Sequence, residues 1–164
     1  MLLRGDNVML GYWDDPDSTR EVVRPEGLWT GDLARVDHDG YIYVLGRRSD
    51  MIKTGAYRIS PQEIEELLLE IVGVADAAVV GWPDDILGQV VVAYVTLFAG
   101  HSGLNAETVL QRCNELLPRH KQVRRVEVVD SIPKTGSGKI KRHELRARAD
   151  VRATQRVAGP AEKG

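Results

Sequence analysis

The chain has 164 residues and a mass of 18.2 kDa, enough to bury one ordinary core, or one core and a subdomain. Apolar content of 43% and charged content of 28% are globular values, and no apolar run reaches the length of a membrane-spanning helix. The net charge of −2 conceals an asymmetry: residues 1–118 hold 9 Lys/Arg against 19 Asp/Glu, whereas residues 119–164 hold 13 against 5.

Residues 1–47 read as short strands and turns, with Asp39-Gly40 as a hairpin signal between Leu33–Val36 and Tyr41–Leu45. This stretch is too small to make a core alone, and its Met9, Tyr12, Trp13 and Trp29 look like surfaces cut away from something larger. Gly46-Arg47-Arg48-Ser49-Asp50 breaks the strand pattern and is the best linker. A loop over Lys53–Arg58 leads to Ser60-Pro61-Gln62-Glu63, which predicts a helix start: Ser60 as N-cap, Pro61 in the first helical position and Glu63 completing a capping box. Ile64, Leu67, Leu68 and Ile71 follow at helical spacing, so one face is expected to be buried.

Ala75–Trp82 and Gln89–Phe98 are β-rich runs separated by a turn around Pro83–Gly88. A second helix is predicted from Asn105, with Val109, Leu110, Cys113, Leu116 and Leu117 on one face and Pro118 as its stop. Val123–Val129 reads as a third strand, His143–Ala149 as a short helix, and residues 151–164 as a disordered tail. The expected fold class is therefore α+β: a β-rich segment over 1–47, then a small domain over 48–150 with helices on a three-stranded sheet.

Four places carry candidate chemistry. Asp32, after Thr30-Gly31, is suited to accept hydrogen bonds from a ribose diol, although an ordinary turn aspartate has the same appearance. Arg47 brings a planar fork that fits a ribose or phosphate, against the default of a surface arginine. Lys53, Gly55, Ala56 and Arg58 lie in a stretch whose backbone is equally suited to a ligand channel or a plain connection. Lys139 ends Pro133-Lys134-Thr135-Gly136-Ser137-Gly138, a Gly/Ser-rich turn that delivers a compact cation with three donors. It is not a P-loop, because Pro133 stands where the first glycine belongs and Ile140 where the Mg²⁺-binding Ser or Thr belongs.

The histidines at 38, 101, 120 and 143 share no ligand spacing, so no protein metal site is expected. The lone Cys113 excludes an internal disulfide framework and fits a reducing compartment such as the cytoplasm. The basic C-terminal region is open to nucleic acid, an anionic small molecule or an acidic partner surface. One phenylalanine in the chain, and no interleaving of aromatic with basic residues in that region, argue against base stacking.

In order along the chain, these pieces resemble the C-terminal part of the adenylate-forming superfamily of acyl-CoA synthetases and related ligases. Gly5-Asp6-Asn7-Val8-Met9-Leu10-Gly11-Tyr12-Trp13 resembles a segment that precedes the family's ribose-binding motif, here Thr30-Gly31-Asp32. Gly46-Arg47 through Glu63-Ile64-Glu65 resembles the hinge and glycine loop that open its mobile C-terminal domain, and Pro133–Lys139 its terminal lysine motif. Ser49 stands at the hinge position with Asp50 beside it, and Ala56 stands where a glycine is usual, with Gly55 one place earlier.

The resemblance implies an ATP-dependent, AMP-forming ligase that adenylates a small-molecule carboxylic acid and passes it to CoA. Asp32 would hold the ribose hydroxyls and Arg47 the ribose or phosphates. Lys139 would bridge carboxylate and α-phosphate. The Lys53–Arg58 loop would shape the pantetheine tunnel after rotation about Ser49/Asp50. The family's phosphate loop, acyl pocket and Mg²⁺-binding acidic residue belong to an N-terminal domain absent from these residues. The expectation is thus a C-terminal piece of a several-fold larger enzyme, inactive alone. Two alternatives are a member that loads a carrier protein and a non-catalytic lid that docks on a separately encoded N-terminal domain.

Overall fold

A computed structural model describes residues 1–100 and 103–147. The chain divides into two compact units, with the division after Met51.

In the first unit, β1 (Leu2–Leu3), β2 (Val23–Arg24) and β3 (Gly27–Trp29) form a small antiparallel sheet in the order β1-β3-β2. Helix α1 (Pro16–Val22) precedes β2, and the sequence reading missed it. Its signal is local: Asp15 is the N-cap, its Oδ1 accepting from the Ser18 N–H at 3.0 Å, and Pro16 begins the helix. Strands β4 (Asp32–Val36) and β5 (Ile42–Arg47) make the expected hairpin. Asp37 builds the turn by accepting from the Asp39 and Tyr41 N–H groups, and Gly40 takes φ +86°. Gly46 and Arg47, expected in a linker, are the last residues of β5. A bulge between Leu33 and Ala34 re-aligns the pair so that Asp32 faces Arg47. Residues from Tyr41 to Leu45 are all substantially exposed in this unit.

The second unit holds one five-stranded sheet. Its centre is the antiparallel pair β8 (Val74–Asp84), longer at both ends than the sequence pattern indicates, and β9 (Gly88–Leu97), which begins and ends one residue earlier than expected. Helix α3 (Ala106–Leu116) carries the chain across to β10 (Val123–Val128), which runs parallel to β9. These are the three expected strands. Lys53–Arg58, expected as a loop, lie instead within a small hairpin: β6 (Ile52–Thr54) and β7 (Tyr57–Ile59), joined to β9 at Thr54 and Gly88. The buried cross-strand pair Ile52–Ile59 anchors this hairpin in the core. Among the described residues, strand β8 pairs only with β9 and so forms an edge of the sheet.

Alternation along β8 and β9 sorts two cores. Ala77, Val79, Val91, Ala93 and Val95 face helix α2 (Pro61–Leu69) and α3, meeting Ile64, Leu68, Val109 and Cys113. Ala78, Val80, Val92 and Tyr94 face the other way, against Ile132 and Leu145. Leu145 lies in a last helix, α4 (residues 142–147). Cover on both faces is why these strands read as nearly continuous apolar runs. Asn105 caps α3 by accepting from the Thr108 N–H at 2.9 Å, as its sequence predicts.

Two local expectations are corrected. Ser60 is the N-cap of α2 but makes no side-chain capping bond, and Glu63 turns to the Lys121 ammonium, 2.5 Å away. Leu116 points to solvent while Leu117, just past the helix end, is buried. The tail expected at residues 151–164, and the end of the helix expected at His143–Ala149, lie outside the described residues. Among those described, no helix is long and apolar enough to cross a membrane.

Candidate active site

Within the first unit, Asp32 and Arg47 come together. They occupy the first residue of β4 and the last of β5, and Arg47 Nε lies 2.9 Å from Asp32 Oδ1. The Arg47 guanidinium also donates to the Thr30 carbonyl at 2.6 Å. Gly31 between them has φ +75°, a conformation that favours glycine, and the Arg48 N–H donates to its carbonyl at 2.8 Å. The result is a half-buried carboxylate oriented by an arginine, with acceptor capacity to spare. Ser49 and Asp50 follow in a tight turn closed by the Asp50 N–H on the Arg47 carbonyl at 3.1 Å.

Within the second unit, Lys53, Gly55, Ala56 and Arg58 belong to the β6–β7 hairpin, all exposed. Gly55 takes the first turn position at φ +55° and Ala56 the second, as a glycine-first type II′ turn requires. That geometry explains why the glycine stands at 55 and not 56. The hairpin is tied down by the Gly55 N–H on the Leu87 carbonyl and by the Lys53 N–H on Gln89 Oε1, both at 2.8 Å. Gln89 lies across Gly81, where any Cβ would come within 2.8 Å of its amide group. Gly81 and Gln89 therefore serve the hairpin, although neither was singled out from sequence. Tyr57 stacks on His120 at 4.5 Å between ring centroids. A groove of about 830 Å³ runs alongside, floored by side chains such as Leu87 and Leu110 and edged by Arg119 and Arg124. Such a groove suits an elongated ligand with apolar and anionic parts.

Lys139 sits in a second tight hairpin, closed by the bridge between Lys134 and Ile140. The Thr135 N–H donates to the Lys139 carbonyl at 2.8 Å, the Lys139 N–H to Thr135 Oγ1 at 3.1 Å, and the Lys141 N–H to the Pro133 carbonyl at 2.9 Å. Gly138 allows the turn at φ +81°. The backbone is thus pinned while the Lys139 side chain stays exposed, in no ion pair among the described residues. Lys134 ties the hairpin to Asp76 at 2.5 Å. Arg142, three residues beyond Lys139, places one terminal nitrogen 2.7 Å from both oxygens of Glu65. Glu65 enters the sequence reading only as the end of the segment resembling the hinge and glycine loop, yet it is 8% exposed.

The two hairpins are not neighbours. The Lys139 hairpin is tied to Asp76 near the start of β8, and the Gly55 hairpin to Leu87 in the turn after its end. The eight residue steps from Asp76 to Asp84 span about 26 Å of strand.

Cys113 is fully buried in α3, and burial pushes its thiol up to about 11. It is a packing residue, as expected. No group of three or more His, Cys, Asp or Glu among the described residues is placed to hold a metal ion.

The model of the AMP-binding enzyme C-terminal domain family matches residues 63–139. The 4-hydroxybutyrate–CoA ligase 1 of Metallosphaera sedula is 43% identical over 157 residues, covering 94% of this chain and 28% of that protein. A 2-succinylbenzoate–CoA ligase of Bacillus cereus is 40% identical over 146 residues, covering 89% of this chain and 30% of that protein. The crystal structure of the anthranilate CoA ligase AuaEII in complex with anthranoyl-AMP superposes with a TM-score of 0.83 at 34% identity, covering 93% of this chain and 30% of that one. The chain thus spans less than a third of these relatives' length. It belongs to the adenylate-forming acyl-CoA synthetase superfamily, whose C-terminal part it matches.

Proposed function

We propose that this chain is the C-terminal portion of an ATP-dependent, AMP-forming acid–CoA ligase. Residues 1–47 are the last strands of its adenylating domain, residues 48–150 its mobile lid, and residues 151–164 a tail. The observation that carries the reading is the separation of the two hairpins at opposite ends of one sheet. A lid that serves two reaction steps needs two working loops that it presents in turn, and it changes between them by rotating on a hinge such as Ser49/Asp50.

In the first step a carboxylate attacks the α-phosphorus of ATP and pyrophosphate leaves. Negative charge builds between two anions, and a positioned lysine at 139 stabilises it. Asp32, oriented by Arg47, accepts hydrogen bonds from the ribose hydroxyls and fixes the nucleotide. In the second step the CoA thiol attacks the acyl carbon and AMP departs. The Gly55 hairpin, with Lys53, Ala56 and Arg58, then lines the path of the pantetheine arm; the neighbouring groove supports that assignment for Gly55 and Ala56, which border it, whereas Lys53 and Arg58 lie outside its lining. Mg²⁺ would serve such chemistry by neutralising phosphate charge, and its ligands would come from the N-terminal domain, since the described residues offer no ligand set for it. The partner is the N-terminal adenylating domain, which supplies the acid pocket. The buried, unreactive Cys113 supports a reducing, cytoplasmic setting.

The test is pyrophosphate exchange by the complete protein over a panel of carboxylic acids. Acid-dependent exchange that is lost in Lys139→Ala is the expected result. Exchange with no acid in the panel, or exchange unchanged in Lys139→Ala, would overturn the reading.

A further inference from the structure

Lys139 can act only where its loop holds it, and the bonds inside the hairpin do not say what fixes the hairpin to the domain. Two segments enter it. One comes from Ile132, buried on the sheet, and the other leaves directly into Arg142 and then Leu145. Leu145 supplies apolar contact, which is non-directional. Directional ties come from Lys134, paired with Asp76 on the entering segment, and from Arg142 on the leaving one.

Arg142 meets its partner across the open edge of β8. No strand among the described residues pairs with β8 on that side, and the Val79 N–H there donates to Glu65 Oε1 at 2.8 Å. Glu65 projects from α2, on the face of the sheet opposite Leu145. Its carboxylate therefore caps the strand edge from one layer while Arg142 closes on it from the other. The side chains are 10% and 16% exposed, so the pair is shielded from the solvent that weakens surface ion pairs. Both oxygens of Glu65 accept from the same terminal nitrogen of Arg142, which holds that end of the guanidinium over the carboxylate by charge-assisted hydrogen bonds.

We propose that Glu65 is a positioning residue for Lys139, acting through Arg142, so that α2 and the edge of β8 set the register of the lysine hairpin. The inference rests on the ligase reading for what Lys139 does, but its mechanical part stands apart from that reading. The Gly55 hairpin is held by Leu87 and Gln89, and does not depend on this tie.

The experiment compares Glu65→Gln, Arg142→Met and Arg142→Lys with the unaltered complete protein. Hydrogen exchange reports the Thr135, Gly138 and Lys141 amides, and the two half-reactions are assayed separately. The expected result is faster exchange at those three amides in Glu65→Gln and Arg142→Met, with the amides of β9 and β10 unchanged. Adenylation falls on the order of 10²-fold, as for a misplaced catalytic group. Thioester formation from supplied acyl-adenylate stays within about twofold, and Arg142→Lys recovers part of the loss. Equal loss of both half-reactions, or exchange raised uniformly through the sheet, would make the pair a general stabiliser and overturn the proposal. Unchanged exchange at the hairpin would overturn it as well. If the unaltered protein shows no adenylation, the ligase reading fails, while the exchange data still decide whether Glu65 holds the hairpin.

Discussion

The two hairpins of the second unit are built in opposite ways. The Gly55 hairpin is an extension of the sheet: its first strand, β6, joins β9, its flanking isoleucines are core residues, and a glutamine side chain completes the pairing. The Lys139 hairpin lies on the sheet and does not join it. Its own backbone and hydroxyl bonds close it, and side-chain ion pairs to Asp76 and Glu65 hold it at one end. The first arrangement fixes a stretch of backbone that a ligand can slide past. The second fixes a backbone so that one long side chain can reach outward. Each suits the step assigned to it, and the difference implies that the two respond to different perturbations.

The largest expected effect separates them by chemistry. Lys139→Ala removes a positioned cation, and adenylation in the complete protein should fall by about 10²–10³-fold, the range for losing one electrostatic stabiliser. Pyrophosphate exchange measures it. The next separates them by packing. Leu145→Ala opens a cavity beneath the Lys139 side alone and should cost about 2–5 kcal/mol of stability, measured by denaturant unfolding. A smaller effect comes from the other hairpin. Gly55→Val forces a β-branched residue to φ +55° at a cost of about 1–2 kcal/mol, which should slow thioester formation roughly tenfold while sparing adenylation.

The smallest is a pH effect confined to the Gly55 end. The Leu87 and Ile86 N–H groups donate to Asp84 and hold its carboxyl below the ordinary value of 3.8. A lowered folded value means that the turn gains stability above the ordinary value and loses it as pH falls through the folded one. The Ile86 and Leu87 amide shifts should therefore titrate below pH 3.8, and Asp84→Asn should abolish that titration.

Much of this contrast was legible in the sequence, but unevenly. The capped start of α3, its stop at Pro118, the apolar strands and the exposed lysine turn each follow from neighbouring residues. The features that read wrongly depend on distant partners. Lys53–Arg58 looks like a loop because three-residue strands carry no period of their own, and Gln89 stands 36 positions from Lys53. Glu63 fits a capping box until Lys121, 58 positions on, takes it. Glu65 looks like any carboxylate on a helix, because Arg142 lies 77 positions away. Helix α1 is a different kind of miss. Its Asp15-Pro16 signal is local, but it sits in a region that reads as strands and turns throughout.

The most direct test of the division of labour places Lys139→Ala and Gly55→Val in the complete protein and assays each half-reaction alone. The account requires a crossed result: Lys139→Ala loses adenylation yet converts supplied acyl-adenylate to thioester, while Gly55→Val forms the adenylate and stalls at the thioester. If both substitutions damage the same half-reaction, the two hairpins do not serve separate steps and the account is wrong.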